Sequence, residues 1–211
     1  MHQAAIEPAL RDCLGHAAAE GVTLGGMLEK LERAGFCFAA LLLAVPFIQP
    51  FSLGPLTMIG GLTFMALGWQ MGVGKPNPKL PKAARELRIH GKGWVGVLNF
   101  CLKLLAFCKR FTKVRLERWV SGAWGERFVG WLILAGGALL AVPMASLPLN
   151  NTLPAFMIVF ACVGWLERDG LMVLVSLAWG VLTLIYFAAV GVAFIFFGAQ
   201  IFSWMSRIWP F

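Results

Sequence analysis

The stretch AVPFIQPFSLGPLTMIGGLTFMALGW, from Ala44 to Trp69, has a second copy, AVPMASLPLNNTLPAFMIVFACVGW, from Ala141 to Trp165. Each copy begins with Ala-Val-Pro, ends with Gly-Trp and contains two further prolines, and a single deletion aligns the two ends. Duplicated apolar segments interrupted at matching places are typical of membrane proteins built from two structural repeats, whose breaks meet near the bilayer midplane. The duplication therefore predicts a two-fold membrane protein that handles a ligand, rather than a simple anchor.

The composition agrees with a membrane protein. Of the 211 residues, 59% are hydrophobic and only 13% are charged, and the mean hydropathy is +0.77. A soluble domain carries about a quarter charged residues. The first twenty residues include four charged side chains and lack the apolar core of a signal peptide. We therefore expect a polar lead-in over residues 1–22 and one membrane domain over 23–211, with repeats at about 23–108 and 109–206.

The positive charge is concentrated in the middle of the chain. Thirteen of the eighteen Lys and Arg lie between Lys75 and Arg127, together with only three acidic residues. Basic segments next to apolar ones stay on the cytoplasmic side and rest on anionic lipid headgroups. This pattern favours a multi-pass protein of the bacterial inner membrane. It does not favour nucleic-acid binding, because no recognition motif accompanies the charge.

The pattern of apolar segments predicts an all-α fold. An amphipathic interfacial helix is expected to begin at Thr23, with the threonine as N-cap. The apolar run Phe36–Phe51 would span only about 22 Å as a helix, against a hydrocarbon core of about 30 Å. The second arm, Leu53–Val73, is long enough to cross, although Gly60-Gly61 weakens its middle.

Two interpretations of these short arms remain open. One is an ordinary transmembrane hairpin, and the other is a re-entrant pair of broken helices whose tips stop inside the membrane. Re-entrant tips require protein or water around them. The second copy has an arm from Phe128 to Leu147 and a returning arm from Ala155 to Leu166, in which the same shortness recurs. That recurrence favours the re-entrant interpretation.

The connecting segments decide how the copies are oriented. Helices are predicted over Ala83–Ile89 and, in amphipathic form, over Lys109–Arg127. If the apolar stretch Trp94–Cys108 stays on one face of the membrane, the two copies are parallel. If it crosses the membrane, they are inverted. Leu171–Phe197 is predicted to be a full transmembrane helix, followed by an interfacial tail.

Polar residues at the breaks are the candidate ligand groups. Freed backbone groups and helix ends can bind an anionic headgroup, and the alternative is that the prolines only make tight turns. The predicted breaks are Pro46, Pro50, Pro55, Pro143, Pro148 and Pro154. The polar residues at the turns are Gln49, Ser52, Asn150, Asn151 and Thr152.

A second polar group follows the second copy. Glu167, Arg168 and Asp169 either cap helices and pair locally, or hold a phosphate and exchange a proton, and Gln70 occupies the corresponding end of the first copy. No nucleophile lies near a base, so no enzyme is expected. The five cysteines and three histidines have no metal-ligand spacing, so we expect no disulfide, metal or cofactor.

The segment Leu24–Pro81 resembles the ExoD-type exopolysaccharide-synthesis membrane proteins of bacteria. It combines a Leu-rich amphipathic helix, the Gly54-Pro55 turn and a basic Lys-Pro to Leu-Pro exit over residues 75–81. The second half adds Asn-x-Leu-Pro at Asn151–Pro154 and Glu-Arg-Asp-Gly at residues 167–170. The resemblance implies an inner-membrane protein linked to the export or assembly of surface polysaccharide, and it implies no reaction.

Two functional hypotheses follow. The first is a homo-oligomeric protein that binds or translocates an anionic amphiphile, such as a phospholipid or a polyprenyl-phosphate carrier. The second is a non-transporting membrane scaffold that recruits polysaccharide-assembly enzymes through its basic face.

Overall fold

In the part of the chain that it describes, a computed structural model of the protein contains five α-helices and one short strand pair. The structure describes residues 22–23, 31, 33–49, 54–79, 88–89, 103, 112, 114–117, 120–143, 147 and 149–208, with side chains to residue 196. The strands are β1 (Val22–Thr23) and β2 (Arg88–Ile89), which pair antiparallel. The helices are α1 (Ala34–Ala44), α2 (Pro55–Gly72), α3 (Gly122–Leu140), α4 (Thr152–Leu166) and α5 (Gly170–Ile208).

Proline sets the boundaries of the first hairpin, α1 and α2. Pro46 lacks the N–H that would extend α1, so the chain changes to a 3₁₀ turn over Val45–Phe47. α2 begins at Pro55, whose fixed φ suits the first helical position. Gly54, just before it, has a φ of 57°, which glycine adopts at little cost.

The second hairpin, α3 and α4, repeats these boundaries. α3 ends at Leu140, directly before Ala141-Val142-Pro143, as α1 ends where the first Ala-Val-Pro begins. Pro154 lies in the first turn of α4, where it removes no intrahelical hydrogen bond. Pro55 and Pro154 therefore start helices and do not interrupt them. Pro50 and Pro148 lie outside the described residues.

Glycines let the backbones of α2 and α3 approach each other closely. A Cβ added to Gly68 would lie 2.4 Å from the backbone N of Leu134, and one added to Gly130 would lie 2.4 Å from the backbone N of Gly72. Gly61 on α2 faces the backbone of α3, and Gly137 on α3 faces the backbone of α2, at similarly short distances. α2 is continuous through Gly60-Gly61, and Gly61 is a packing position. The expected weakening of the helix there stays a prediction.

The four helices of the two hairpins form a ring in the order α1, α2, α3, α4, with α4 packing back on α1. α5 packs mainly on α4. Its Trp179 ring stacks with Phe160 and packs at a tilt against Phe156, and the Ser176 hydroxyl donates a buried hydrogen bond to the Met157 carbonyl at 2.7 Å. Almost all of α1 is buried, and its side chains form the centre of the core.

Two polar contacts show that both hairpins run in the same direction. Arg33, which precedes α1, pairs with Glu126 near the start of α3. Thr152, which begins α4, donates a hydrogen bond to Gln49, which follows α1. α1 and α3 therefore start at one end of the bundle, and the turns of both hairpins lie at the other. The chain between the hairpins leaves from and returns to the same end, so the two copies are oriented in parallel.

The two ends differ in charge. No Asp, Glu, Lys or Arg occurs between Arg33 and Lys75, or between Arg127 and Glu167. Every charged residue that flanks the hairpins therefore lies at the end where α1 and α3 begin. We call this the charged end and the opposite one the turn end.

α5 confirms the expected long apolar helix at the C-terminal side. Gly170–Phe196 is long and apolar enough to cross a membrane, and no other helix of the described residues passes the same test. Ala34–Phe47 and Thr152–Leu166 are apolar but shorter. α5 starts at the charged end and exposes large apolar side chains on its second half, such as Phe194 at 80% and Ile195 at 75%.

Several predicted connecting helices need correction. Arg88 and Ile89 are strand residues, so a helix over Ala83–Ile89 is wrong at its end. Residues 114–116 are not helical, and Leu116 has a φ of 50°, so the amphipathic helix over Lys109–Arg127 is wrong in its middle. Thr23 is extended, as an N-cap would be, but the residues after it lie outside the described part, as do Trp94–Cys108 apart from the helical, exposed Lys103.

The glycine contact generates a matched test. Gly68→Ala should lower the free energy of unfolding by about 1–3 kcal/mol, because its methyl group would overlap the α3 backbone. Gly191→Ala is the control, since a Cβ at this helical glycine meets no atom within 4 Å. Thermal unfolding in detergent, followed by far-ultraviolet circular dichroism, measures both. Equal stability of the two variants would contradict the close packing of α2 on α3.

Candidate functional site

At the turn end, one hydrogen bond joins the turns of the two copies. The Thr152 hydroxyl donates to the Gln49 backbone carbonyl at 3.0 Å, across 103 residues of sequence. Thr152 is buried, and Gln49 is exposed. The expectation that the two breaks meet is confirmed for these residues, while Ser52 lies outside the described part.

Buried amides lie beside this link. Asn150 and Asn151 are only 4% and 1% exposed, directly before α4. Asn151 occupies the N-cap position, although its side chain forms no capping hydrogen bond. Leu149 has a φ of 62°, an uncommon conformation for a branched side chain. The turn therefore holds polar groups in the protein interior at a helix N-terminus.

The start of α2 contributes a buried hydroxyl that the sequence analysis missed. Thr57 lies in the first turn of α2 and is 6% exposed, and its hydroxyl has no hydrogen-bond partner. A lone threonine in an apolar helix gives little signal in sequence. Because α2 and α4 both begin at the turn end, their positive helix ends and these polar side chains share one uncharged region.

At the charged end, Asp169 has a structural role. It is fully buried, and its Oδ1 accepts the Leu171 N–H at 2.9 Å, which caps the start of α5. The Gly170 N–H donates to the Arg115 carbonyl at 2.8 Å, in the segment where Arg115 and Asp169 form a bridge. A Cβ on Gly170 would lie 2.7 Å from the Leu116 carbonyl oxygen. Asp169-Gly170 therefore holds the connecting segment against the α4–α5 turn.

Arg168, next to Asp169, forms an ion pair. Its Nη1 lies 3.1 Å from Glu117 Oε1, and both side chains are largely solvent-accessible. Glu167 is half-buried in the same turn. The contacts of Asp169 and Arg168 match the interpretation in which these charges cap helices and pair locally.

Gln70 fastens the basic loop after α2. Its Oε1 accepts the Lys79 N–H at 2.7 Å, and its Nε2 donates to the carbonyls of Ala66 and Lys79. Both of its polar atoms are therefore used to hold residues 75–79 against the end of α2.

The candidate residues thus form two separate groups. Gln49, Asn150, Asn151 and Thr152 lie at the turn end, whereas Gln70 and residues 167–169 lie at the charged end. The 15 residues of α4 separate the two groups by about 22 Å. No single ligand headgroup contacts both.

A partly buried ion pair, which the sequence analysis also missed, lies at the charged end. The Arg33 Nη1 is 2.6 Å from Glu126 Oε2, and the Glu126 side chain is only 5% exposed. The thiols of Cys37 and Cys162 lie within hydrogen-bonding reach of each other between α1 and α4, and both are free. Among the residues that the structure describes, no three His, Cys, Asp or Glu side chains are grouped as metal ligands.

Comparison with known proteins now gives the family. The family model described as "Exopolysaccharide synthesis, ExoD" matches residues 6–189. The chain belongs to the ExoD family. It is 30% identical over 191 residues to Protein ExoD of Rhizobium meliloti (strain 1021), covering 90% of this chain and 79% of that protein. No solved structure matches it. Membership of the ExoD family links the chain to exopolysaccharide synthesis.

The Asp169 cap generates a second test. Asp169→Ala should destabilise this ExoD-family protein by about 0.5–2 kcal/mol, because it removes the cap of α5. Glu117→Gln should cost less than about 1 kcal/mol, since its ion pair with Arg168 is exposed. Chemical unfolding in detergent compares them. A larger loss for Glu117→Gln would argue against the capping role.

Proposed function

We propose that this ExoD-family chain is a multi-pass protein of the bacterial inner membrane that binds or translocates an anionic amphiphile for exopolysaccharide synthesis. A phospholipid or a polyprenyl-phosphate carrier is the ligand class. The observation that carries the proposal is the Thr152–Gln49 hydrogen bond, which joins two uncharged polar turns. The joined turns would receive the polar headgroup while the apolar tail stays in lipid.

The charge distribution supports one orientation. The charged residues that flank the hairpins lie at one end of the bundle, and the basic middle segment leaves from and returns to that end. Basic segments next to membrane spans stay in the cytoplasm. In the proposed orientation the charged end faces the cytoplasm, and both hairpins enter the bilayer from that side.

The lengths of α1 and α4 support turns that stop inside the bilayer, whereas α2 and α3, with 18 and 19 residues, cover about 27–29 Å. α1 with its 3₁₀ turn covers 14 residues and α4 covers 15, or about 22 Å each, against about 30 Å of hydrocarbon. The position of α5 beside α4 shows where the turns lie along a helix that is long enough to span. Gly180 packs against Met157, so α5 passes the level of Thr152 near residue 185 and continues as an apolar helix. α5 alone would complete the span, and the hairpins would be re-entrant.

The chemistry of the turn end suits a headgroup that accepts hydrogen bonds. The buried Asn150 and Asn151 amides and the Thr57 hydroxyl are potential donors. The N-terminal ends of α2 and α4 carry partial positive charge, and phosphate binds at such ends. These residues have binding and orienting roles, and the proposal includes no catalytic step.

Homo-oligomerisation belongs to the same proposal. Broken backbone at membrane depth must be covered by protein or water. The second half of α5 leaves large apolar side chains exposed beyond the turns. A second copy packed along this part of α5 would shield the turns of the first, and the parallel arrangement of hairpins is compatible with a two-fold repeat about the membrane normal.

A reconstituted transfer assay tests the function. Vesicles containing the protein and fluorescent polyprenyl phosphate should exchange the lipid between leaflets faster than protein-free vesicles, and labelled lipid should co-purify with the protein. Thr152→Val should reduce both signals several-fold, because a hydrogen bond of about 1 kcal/mol that joins the turns is lost.

Ser176→Ala is the matched control for Thr152→Val. It removes another hydroxyl-to-carbonyl hydrogen bond between elements, far from the turns, and should leave transfer close to that of the parent. If the parent protein neither transfers nor retains the lipid, the proposal is wrong. If Ser176→Ala and Thr152→Val reduce lipid transfer to the same extent, the joined turns are not the lipid-binding site.

The scaffold hypothesis is the second candidate, and exposed cations favour it. Arg115 and Lys79 are exposed at the charged end, where a cytoplasmic protein could contact them. Neutralising Lys109, Arg110, Lys113 and Arg115 together should then abolish polysaccharide production in cells while leaving lipid transfer in vesicles intact. Intact polysaccharide production in this variant would argue against a scaffold.

A further inference from the structure

Three cations lie at the charged end on the side of the bundle formed by α2 and α3, without an acidic partner among the described residues. Among the described residues, Glu126 pairs with Arg33, Glu117 pairs with Arg168, Asp169 caps α5, and Glu167 lies half-buried in the α4–α5 turn. Lys75, Lys79 and Arg127 have no carboxylate partner in that part of the chain. Positively charged side chains are therefore grouped where α2 ends and α3 passes it.

Arg127 and Lys75 flank the end of α2. The Arg127 Nε and Nη2 atoms lie 3.6 Å from the position that a Cβ on Gly74 would take. Gly74 has a φ of 78°, so the chain turns sharply there and lets the guanidinium approach. Lys75 follows directly, with its backbone N–H bonded to the Gln70 carbonyl. Arg127 therefore approaches the glycine turn that Lys75 directly follows in the chain.

Exposed tryptophans lie immediately next to these cations. Trp69 and Trp131 are 52% and 44% exposed, and their rings meet edge to face at 5.5 Å. The Trp131 ring also covers Gly72, at 3.2 Å from the position of an added Cβ. Tryptophan is enriched at the level of lipid headgroups because its ring is apolar and its N–H is polar.

Beyond the tryptophans, the outer face of α2 is apolar and open. Ile59 and Leu62 are 60% and 52% exposed, and they continue the line of Trp69 toward the turn end. From the charged end inward, the order is cations, paired tryptophans and then aliphatic side chains. This order matches an amphiphile with an anionic head, an interfacial region and an acyl or isoprenoid tail.

We infer that Arg127 and Lys75, together with Trp69 and Trp131, form a phosphate-binding site for a lipid whose tail lies along Ile59 and Leu62 of α2. It is separate from the joined turns, and it rests on the proposed function in that it would hold the same class of amphiphile at the cytoplasmic surface. Guanidinium binds phosphate through paired N–H donors. The tryptophan pair sets the depth of the headgroup.

Binding to the full chain in detergent tests the site without any transfer step. Isothermal titration with short-chain phosphatidic acid, short-chain phosphatidylcholine and inorganic phosphate separates a lipid phosphate from free phosphate. Phosphatidic acid should bind more tightly than the other two. Arg127→Gln should weaken its binding roughly tenfold, the loss expected for a charge-assisted hydrogen bond, and Arg127→Lys should restore part of it.

Arg115→Gln is the matched control, since it removes one exposed cation, without a carboxylate partner among the described residues, from the same end but away from the tryptophans. It should change the affinity less than twofold. If Arg115→Gln and Arg127→Gln lose the same affinity for phosphatidic acid, the attraction is diffuse and the proposed site is wrong. The site is also wrong if the protein binds inorganic phosphate as tightly as phosphatidic acid. If Arg127→Gln does not fold, Lys75→Gln serves as the test variant.

The binding experiment and the lipid-transfer assay can fail separately. If phosphatidic acid binds through Arg127 but no transfer occurs, the phosphate site stands and the proposed function fails. If transfer occurs and Arg127→Gln binds phosphatidic acid like the parent, the phosphate site is wrong and the proposed function stands.

Discussion

The backbone contact between α2 and α3 is the constraint on which the rest of the structure depends. The four glycines Gly61, Gly68, Gly130 and Gly137 let the two helices approach until any added Cβ would meet backbone atoms. Small residues allow such approach where helices lack a strong hydrophobic drive to associate, as in lipid. Because α2 ends the first copy and α3 begins the second, this contact joins the two halves of the chain.

The direction of the hairpins follows from that antiparallel contact. α2 runs toward the charged end and α3 runs away from it, so the second hairpin must place its turn beside the first. Thr152 and Gln49 then meet, and the charged residues that flank both hairpins remain at one end. A polar, uncharged turn end and a basic, tryptophan-lined end arise from the same packing. The two proposed lipid contacts use these two ends separately.

Much of this arrangement could be predicted from the sequence. The prolines locate the helix boundaries, since Pro46 ends α1 and Pro55 starts α2. The apolar run after Asp169 gives α5. The meeting of the turns followed from the duplication. These features depend on local geometry or on hydropathy, which a single sequence records directly.

Other features depend on contacts between distant residues, and the sequence did not reveal them. Gly60-Gly61 suggested a weak helix, because only the partner α3 shows that Gly61 is a packing position. Glu126 appeared to be one of many charges in a basic stretch until α1 brought Arg33 to it. The Glu-Arg-Asp-Gly run was a candidate ligand group, and its aspartate instead caps α5 and holds Arg115.

Cysteine accessibility in intact cells tests the central claim, that both hairpins enter from the basic side and turn within the bilayer. In a cysteine-free background, single cysteines at Lys79, Glu167 and Gln49 would be treated with a membrane-impermeant maleimide before and after the cytoplasmic side is opened. We expect Lys79→Cys and Glu167→Cys to react only from the cytoplasm and Gln49→Cys to react poorly from both sides. Ready labelling of Gln49→Cys from outside the cell, or of Lys79→Cys and Glu167→Cys from opposite faces, would contradict the account.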